Sequence, residues 1–174
     1  METKTNKSKS ETMPPTIVMT PDQLLEHWQG HRRVTRRAIE VFSEDKFFSY
    51  SIGGMRPFSE LVMEIIGMVS PGIKGVVTGN WVSGDEAAHI FNMPAPATRK
   101  EVLALWDEAT EQLNTLWPLI PPNRLQEVDR AFGLYEMPIY GIIFYWIDNE
   151  IHHRGQGYVY LRSLGIEPPA FYER

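Results

Sequence analysis

The sequence predicts an all-α protein, a bundle of four long helices. Four segments place apolar residues at helical spacing, most of them open or close at capping or breaking residues, and no segment reads convincingly as a strand. Helices with one apolar stripe must bury it, and four such helices bury theirs against one another.

The first helix starts at Thr20-Pro21-Asp22, with Thr20 as N-cap and Pro21 at the first helical position, and runs to about Phe42. Leu24, Trp28, His31, Thr35, Ala38, Ile39 and Phe42 form its inward stripe, leaving Arg32, Arg33, Arg36 and Arg37 as a solvated basic face. Residues 43–54 read as a connector whose Phe47, Phe48 and Tyr50 cover one end of the core. A second helix spans about Pro57 to Val77, with a kink expected around Gly67, Pro71 and Gly72. Residues 78–97 read as a long loop with a helical turn at 85–91. Thr98 and Glu101 make a capping-box pattern for the third helix, which Pro118, Pro121 and Pro122 end. After a connector at 123–137, the last helix runs from near Pro138 to a C-cap at Gly165. Ile142, Tyr145, Trp146, Asn149, His153, Gln156 and Tyr160 share its broad inner face.

The chain has 174 residues, 43% hydrophobic and 22% charged, enough for one domain with a full core. Residues 1–17 are expected to be a disordered extension and 18–174 the folded domain. With no cysteine, disulfides, thiolate zinc sites and cysteine nucleophiles are excluded, which suits a reducing cytoplasm. The net charge of -5 argues against broad nucleic-acid binding, Arg32 to Arg37 being a local exception. No signal peptide and no apolar run of the roughly 18 residues that a bilayer demands is read in the chain, so no membrane role is expected.

The richest stretch is Asn149-Glu150-Ile151-His152-His153-Arg154-Gly155-Gln156. Asn149 and His153 lie one helical turn apart and project from the same face. Ligand-capable side chains at that spacing, facing a bundle interior, are how helix bundles build metal sites, although only one of these two is a histidine.

The segment NEIHHRGQGYVYLRSLGIEPP, residues 149–169, resembles the closing motif HEIHHRGQ…YLRxxGxxPP of the DinB/YfiT-like superfamily. Residues 54–65, GMRPFSELVMEI, are similar to that family's second-helix motif, and the first-helix arginine run is a weaker match. The resemblance implies a four-helix bundle, commonly dimeric, in which three histidines often bind a divalent metal. Position by position, the second-helix histidine falls on Glu64 and the first of the last-helix pair on Asn149. The second is retained as His153. The implied metal set is thus Glu64, Asn149 and His153, one carboxylate, one amide and one imidazole. The oxygen donors weaken zinc or nickel binding and shift preference toward manganese, magnesium or calcium. The same three residues could instead form a polar hydrogen-bond network without metal.

His152 points about 100° away from His153 and reads as a surface or interface residue. His27 and His31 lie four apart on the first helix. His31, on the inward stripe, reads as an ordinary buried histidine before a ligand contact. Arg154 reads as structural, paired with an acidic side chain such as Glu150 four residues earlier, and Gln156 as a pocket-lining residue. Tyr145, Trp146, Tyr158 and Tyr160 read as core or dimer surface.

Two functions are therefore in view. One is a divalent-metal-dependent enzyme (nickel, zinc or manganese) of thiol-transferase or hydrolase type, acting on an unidentified small molecule. In it Glu64 helps hold the ion or, without metal, serves as a general base through a raised pKa in an apolar pocket. The other is a non-catalytic homodimer or small-ligand binder whose metal site has decayed.

Overall fold

A computed structural model describes residues 17–174. The extension expected at 1–17 lies outside the described residues, apart from Ile17.

The chain forms α1 Pro21–Val41, α2 Glu44–Ser49, α3 Phe58–Thr78, α4 Gly84–Phe91, α5 Arg99–Leu116 and α6 Ile139–Ser163. The local rules that place the ends operate as read. Thr20 and Gln23 form a capping box on α1, and Thr98 and Glu101 do the same on α5. Each satisfies two backbone or side-chain groups that would otherwise face water alone. Gly165 takes a positive φ of 76° just past α6, and the N–H of Ile166 returns to the carbonyl of Leu161, closing the last turn.

The four long helices are α1, α3, α5 and α6. Both α1 and α3 pack against α5 and α6, so one core runs between all four. Its fully buried members include Trp28, Ile39, Phe58, Ile73, Trp106, Leu113 and Ile143. Every residue assigned to the α1 stripe is buried.

Three parts differ from the sequence reading. The connector after α1 contains the short α2, which presses Phe47 onto Phe42 and Phe58. The connector before α6 is a β-hairpin, Val128–Ala131 (β1) paired antiparallel with Tyr135–Pro138 (β2). Its turn puts Phe132 at φ 57° and Gly133 at φ 71°. A phenylalanine in that region is strained, but its ring is buried among Trp81, Phe91 and Trp146, and tertiary packing offsets the local cost. Its strands are four residues each and only β2 alternates, over Tyr135-Glu136-Met137, so the strand signal in the sequence was weak. Finally, α3 keeps Pro71 inside a single 21-residue helix that is more continuously apolar than read. It is also long and apolar enough, by length and composition, to cross a membrane, which the sequence reading did not credit. In the fold it is the core helix, with 61% of that window buried.

The basic face of α1 is not simply solvated. Arg32 is 1% exposed. Its guanidinium lies 4.0 Å over the Trp106 ring, donates from Nε to Thr110 Oγ1 at 2.8 Å, and approaches Glu150 Oε2 to 3.9 Å. The other three are paired: Arg33 with Glu26, Arg36 with Asp107 and Glu40, and Arg37 with Glu173. The local exception to the acidic balance is thereby neutralised within the protein.

Candidate functional site

The site lies where α3 and α6 run side by side, and glycines set how closely they do so. A Cβ on Gly157 of α6 would sit 2.5 Å from Phe58 Cε2, and one on Gly72 of α3 would sit 2.6 Å from Trp146 Cη2. These two contacts, one near each end of the pair, clamp the helices together with Glu64, Asn149 and His153 between them.

All three side chains converge. His153 Nε2 is 3.1 Å from Glu64 Oε1, Asn149 Nδ2 donates to Glu64 Oε1 at 3.2 Å, and Asn149 Nδ2 is 3.3 Å from His153 Nε2. Glu64 Oε2 accepts from Arg56 Nη2 at 2.5 Å. His153 is 6% exposed, and its other nitrogen, Nδ1, lies 2.9 Å from Gln156 Oε1. A carbonyl oxygen can only accept, so Nδ1 carries a proton. A neutral ring then turns the Nε2 lone pair toward Glu64 Oε1. Two electron-rich atoms 3.1 Å apart repel unless a positive charge lies between them: a proton on Nε2, or a cation.

Glu64 is ionised. The hydrogen bond from His153, with those from Arg56 and Asn149, outweighs partial burial and pulls its pKa down to about 2. This corrects the expectation of a raised pKa and a general-base role for Glu64: its pocket is polar, and a carboxylate so stabilised is a weak base.

The spacing of the donor atoms suits a hard divalent cation. Ligand atoms bound at about 2.1 Å and at right angles lie about 3 Å apart, which matches the Oε1–Nε2 spacing. Gln156 holds the imidazole by its far nitrogen, as outer-sphere partners of metal-bound histidines do. Asn149 Oδ1 is buried without a hydrogen-bond partner, and turning the amide over would offer that oxygen to the pair. Among the described residues no group of three or more His, Cys, Asp or Glu side chains converges. A cation held here would have the Asn149 amide as its third donor from the chain.

The other histidines are elsewhere. His152 is exposed. His31 turns to a second polar cluster between α1 and α6, where Arg154 Nη2 lies 3.0 Å from its Nδ1. Burial first, then Arg154, lowers the His31 pKa to about 3, so it is a neutral acceptor. Arg154 also donates to Thr35 Oγ1 and the His31 carbonyl, both at 3.1 Å. Glu150, fully buried, accepts from Thr35 at 2.6 Å and from Trp28 Nε1 at 3.3 Å, with Arg154 4.0 Å away. Arg154 thus has the structural role expected of it. The sequence reading missed the burial of Arg32 and the link from Arg56 to Glu64. Arg56 lies eight residues before Glu64 and outside α3, so helical spacing gave no signal for it.

Fold and site together define a four-helix bundle with one carboxylate–amide–imidazole cluster between two of its long helices. Residues 1–174 match the DinB family model, and the chain belongs to the DinB family. It is 23% identical over 157 residues to the uncharacterized protein YjoA of Bacillus subtilis, across 88% of this chain and 96% of that one. The crystal structure of YjoA superposes with a TM-score of 0.66 over 87% of this chain and 99% of YjoA. A DinB-like protein from Bacillus cereus, 19% identical, gives 0.68 over 90% and 100%. A mycothiol-dependent maleylpyruvate isomerase gives 0.61 at 13% identity, over 80% of this chain and 61% of the isomerase. At these identities the structural likeness shows the fold alone.

Proposed function

We propose that the protein is a divalent-cation-dependent enzyme of hydrolase or thiol-transferase type, working at Glu64, Asn149 and His153. The observation that carries this reading is the 3.1 Å approach of Glu64 Oε1 to His153 Nε2 while Gln156 fixes Nδ1. Two donor atoms face a point that needs positive charge. Such a cation supplies Lewis-acid activation of a coordinated water or thiol near neutral pH. The chain's own part is to hold the donors. Arg56 fixes Glu64 through its second oxygen, Gln156 fixes the imidazole, and Asn149 offers an oxygen once its amide turns. Carboxylate and amide oxygens favour manganese over zinc or nickel. The isomerase among the structural neighbours is mycothiol-dependent, which supports the thiol-transferase branch.

One observation favours a second reading, a non-catalytic small-ligand binder with a decayed metal site. Asn149 turns its NH2 group, not its oxygen, toward Glu64 and His153. The triad is then a closed hydrogen-bond network. In either case Tyr140, Phe144 and Ile151, exposed along α6, support a homodimer through that face, which sedimentation equilibrium tests.

Metal content separates the readings. Untagged protein purified without chelator, then offered manganese, nickel and zinc, is assayed by inductively coupled plasma mass spectrometry beside Glu64→Ala and His153→Ala. The enzyme reading expects stoichiometric metal in the wild type and loss in both variants. Wild type that stays empty after all three metals overturns it.

A further inference from the structure

A cavity of about 370 Å³ opens beside the site, lined by Phe48, Arg56, Ser59, Glu60, Phe91 and Met93 among others. Arg56 belongs to both places. Its Nη2 holds Glu64, its carbonyl accepts from Tyr160 Oη at 2.9 Å, and its remaining N–H donors have no partner among the described residues. Glu64 thus holds the guanidinium at one point, Tyr160 holds the backbone that carries it, and the remaining donors suit capture of a planar anion.

Two further features point to the same ligand. Ser59, 2% exposed, lines this cavity beside Arg56 and brings a hydroxyl to its wall. The N-terminus of the 21-residue α3 is capped by Pro57 with no side-chain hydrogen bond, so the first N–H groups beside Arg56 and Ser59 remain available to an anion. The rest of the wall, Phe48, Phe91, Met93, Pro94 and Ala95, is largely apolar. Glu60 is the one opposing charge. It is exposed on the first turn of α3, where its carboxylate can face water.

We infer that this cavity binds a small carboxylate with an apolar body, its carboxylate held by Arg56 and Ser59 at the start of α3. If Glu64 and His153 are the reactive centre, this is the subsite that anchors the substrate next to it, and only that placement rests on the proposed function. An anchored carboxylate sets how far the rest of the molecule reaches toward Glu64, so Arg56 would act in positioning as well as in affinity.

The test titrates the full chain with phenylacetate, and with neutral phenylacetamide, by calorimetry and by amide NMR shifts. Manganese binding is measured separately on the same samples. We expect saturable phenylacetate binding, with shifts at Arg56 and Ser59 and no comparable binding of the amide. Arg56→Gln should weaken binding about tenfold or more and Ser59→Ala by a smaller factor, whereas Glu60→Gln should strengthen it. Ser59→Ala and Glu60→Gln leave Glu64 untouched, so they keep the test decisive if Arg56→Gln perturbs folding. Absent binding, or binding indifferent to all three variants, overturns the inference. Manganese binding without phenylacetate binding sinks the carboxylate subsite alone. Phenylacetate binding without manganese sinks the metal reading alone and leaves the subsite standing.

Discussion

Gly157 on α6 faces the ring of Phe58 on α3 at a distance that leaves no room for a side chain: an added Cβ would lie 2.5, 2.7 and 2.8 Å from three ring carbons. The ring cannot retreat, because it stacks on Phe42 at 5.0 Å and meets Phe47 edge-on. Gly157 follows His153 by one helical turn, so the contact that seats the two helices also seats the site.

Gly157→Ala is therefore expected to destabilise the fold by about 1–3 kcal/mol through overpacking, despite alanine's better helix propensity. Gly155, two residues earlier with nothing within 4 Å of its added Cβ, is the control. Gly155→Ala should stabilise by up to about 1 kcal/mol. Thermal unfolding followed by circular dichroism reads both, and equal effects of the two would contradict the close-contact account.

Glu150 is fully buried between Arg32 and Arg154 and accepts from Trp28 and Thr35. Its removal leaves two buried guanidinium groups without their carboxylate. Glu150→Ala should cost about 3–5 kcal/mol in urea unfolding. A loss below about 1 kcal/mol would mean that the cluster is not charged as described.

Stability should fall on mild acidification, chiefly through His31. Its folded pKa, about 3, lies below the unfolded value of 6.5, so the unfolded chain takes up a proton first. The associated stability is complete above about pH 6.5 and drains away as pH drops toward 3. Glu64, depressed from 4.5 to about 2, adds a second loss only below about pH 4.5. Glu150 runs the other way, since burial raises its pKa and protonation relieves part of that cost. Denaturant unfolding at pH 7.0 and 5.5 should show a clear decrease in wild type and a flatter profile in His31→Gln. Parallel profiles would rule out His31 as the source.

Among the described residues, Gln156 meets the site through His153 Nδ1. Under the metal reading Gln156→Ala should weaken manganese binding by about 10–100-fold, with unfolding stability nearly unchanged because Gln156 is only half-buried. Manganese titration followed by electron paramagnetic resonance checks this, and a change smaller than about twofold would remove Gln156 from the metal's support.

Much of the fold was legible because the signals were local. The capping boxes at Thr20 and Thr98, the apolar stripe of α1 and the closing glycine at 165 act within a few residues of themselves. Asn149 and His153 were readable as partners for the same reason, being one turn apart on a single helix. Glu64 entered only through the resemblance of two motifs, since no spacing rule connects α3 with α6.

What the sequence determined by itself was the helical class, the positions of the long helices and the one face of α6 that carries polar ligands, because period and caps are properties of neighbouring residues. The tertiary structure decided the rest. It buried Arg32 against Trp106 and Glu150, and strained Phe132 into a hairpin turn that its aromatic neighbours stabilise. It set His153, with Arg56 and Asn149, against Glu64, and so reversed the expected direction of that carboxylate's pKa. Each of these depends on a charge or a ring supplied from a distant part of the chain, and burial and electrostatic partners come into being only when the helices meet.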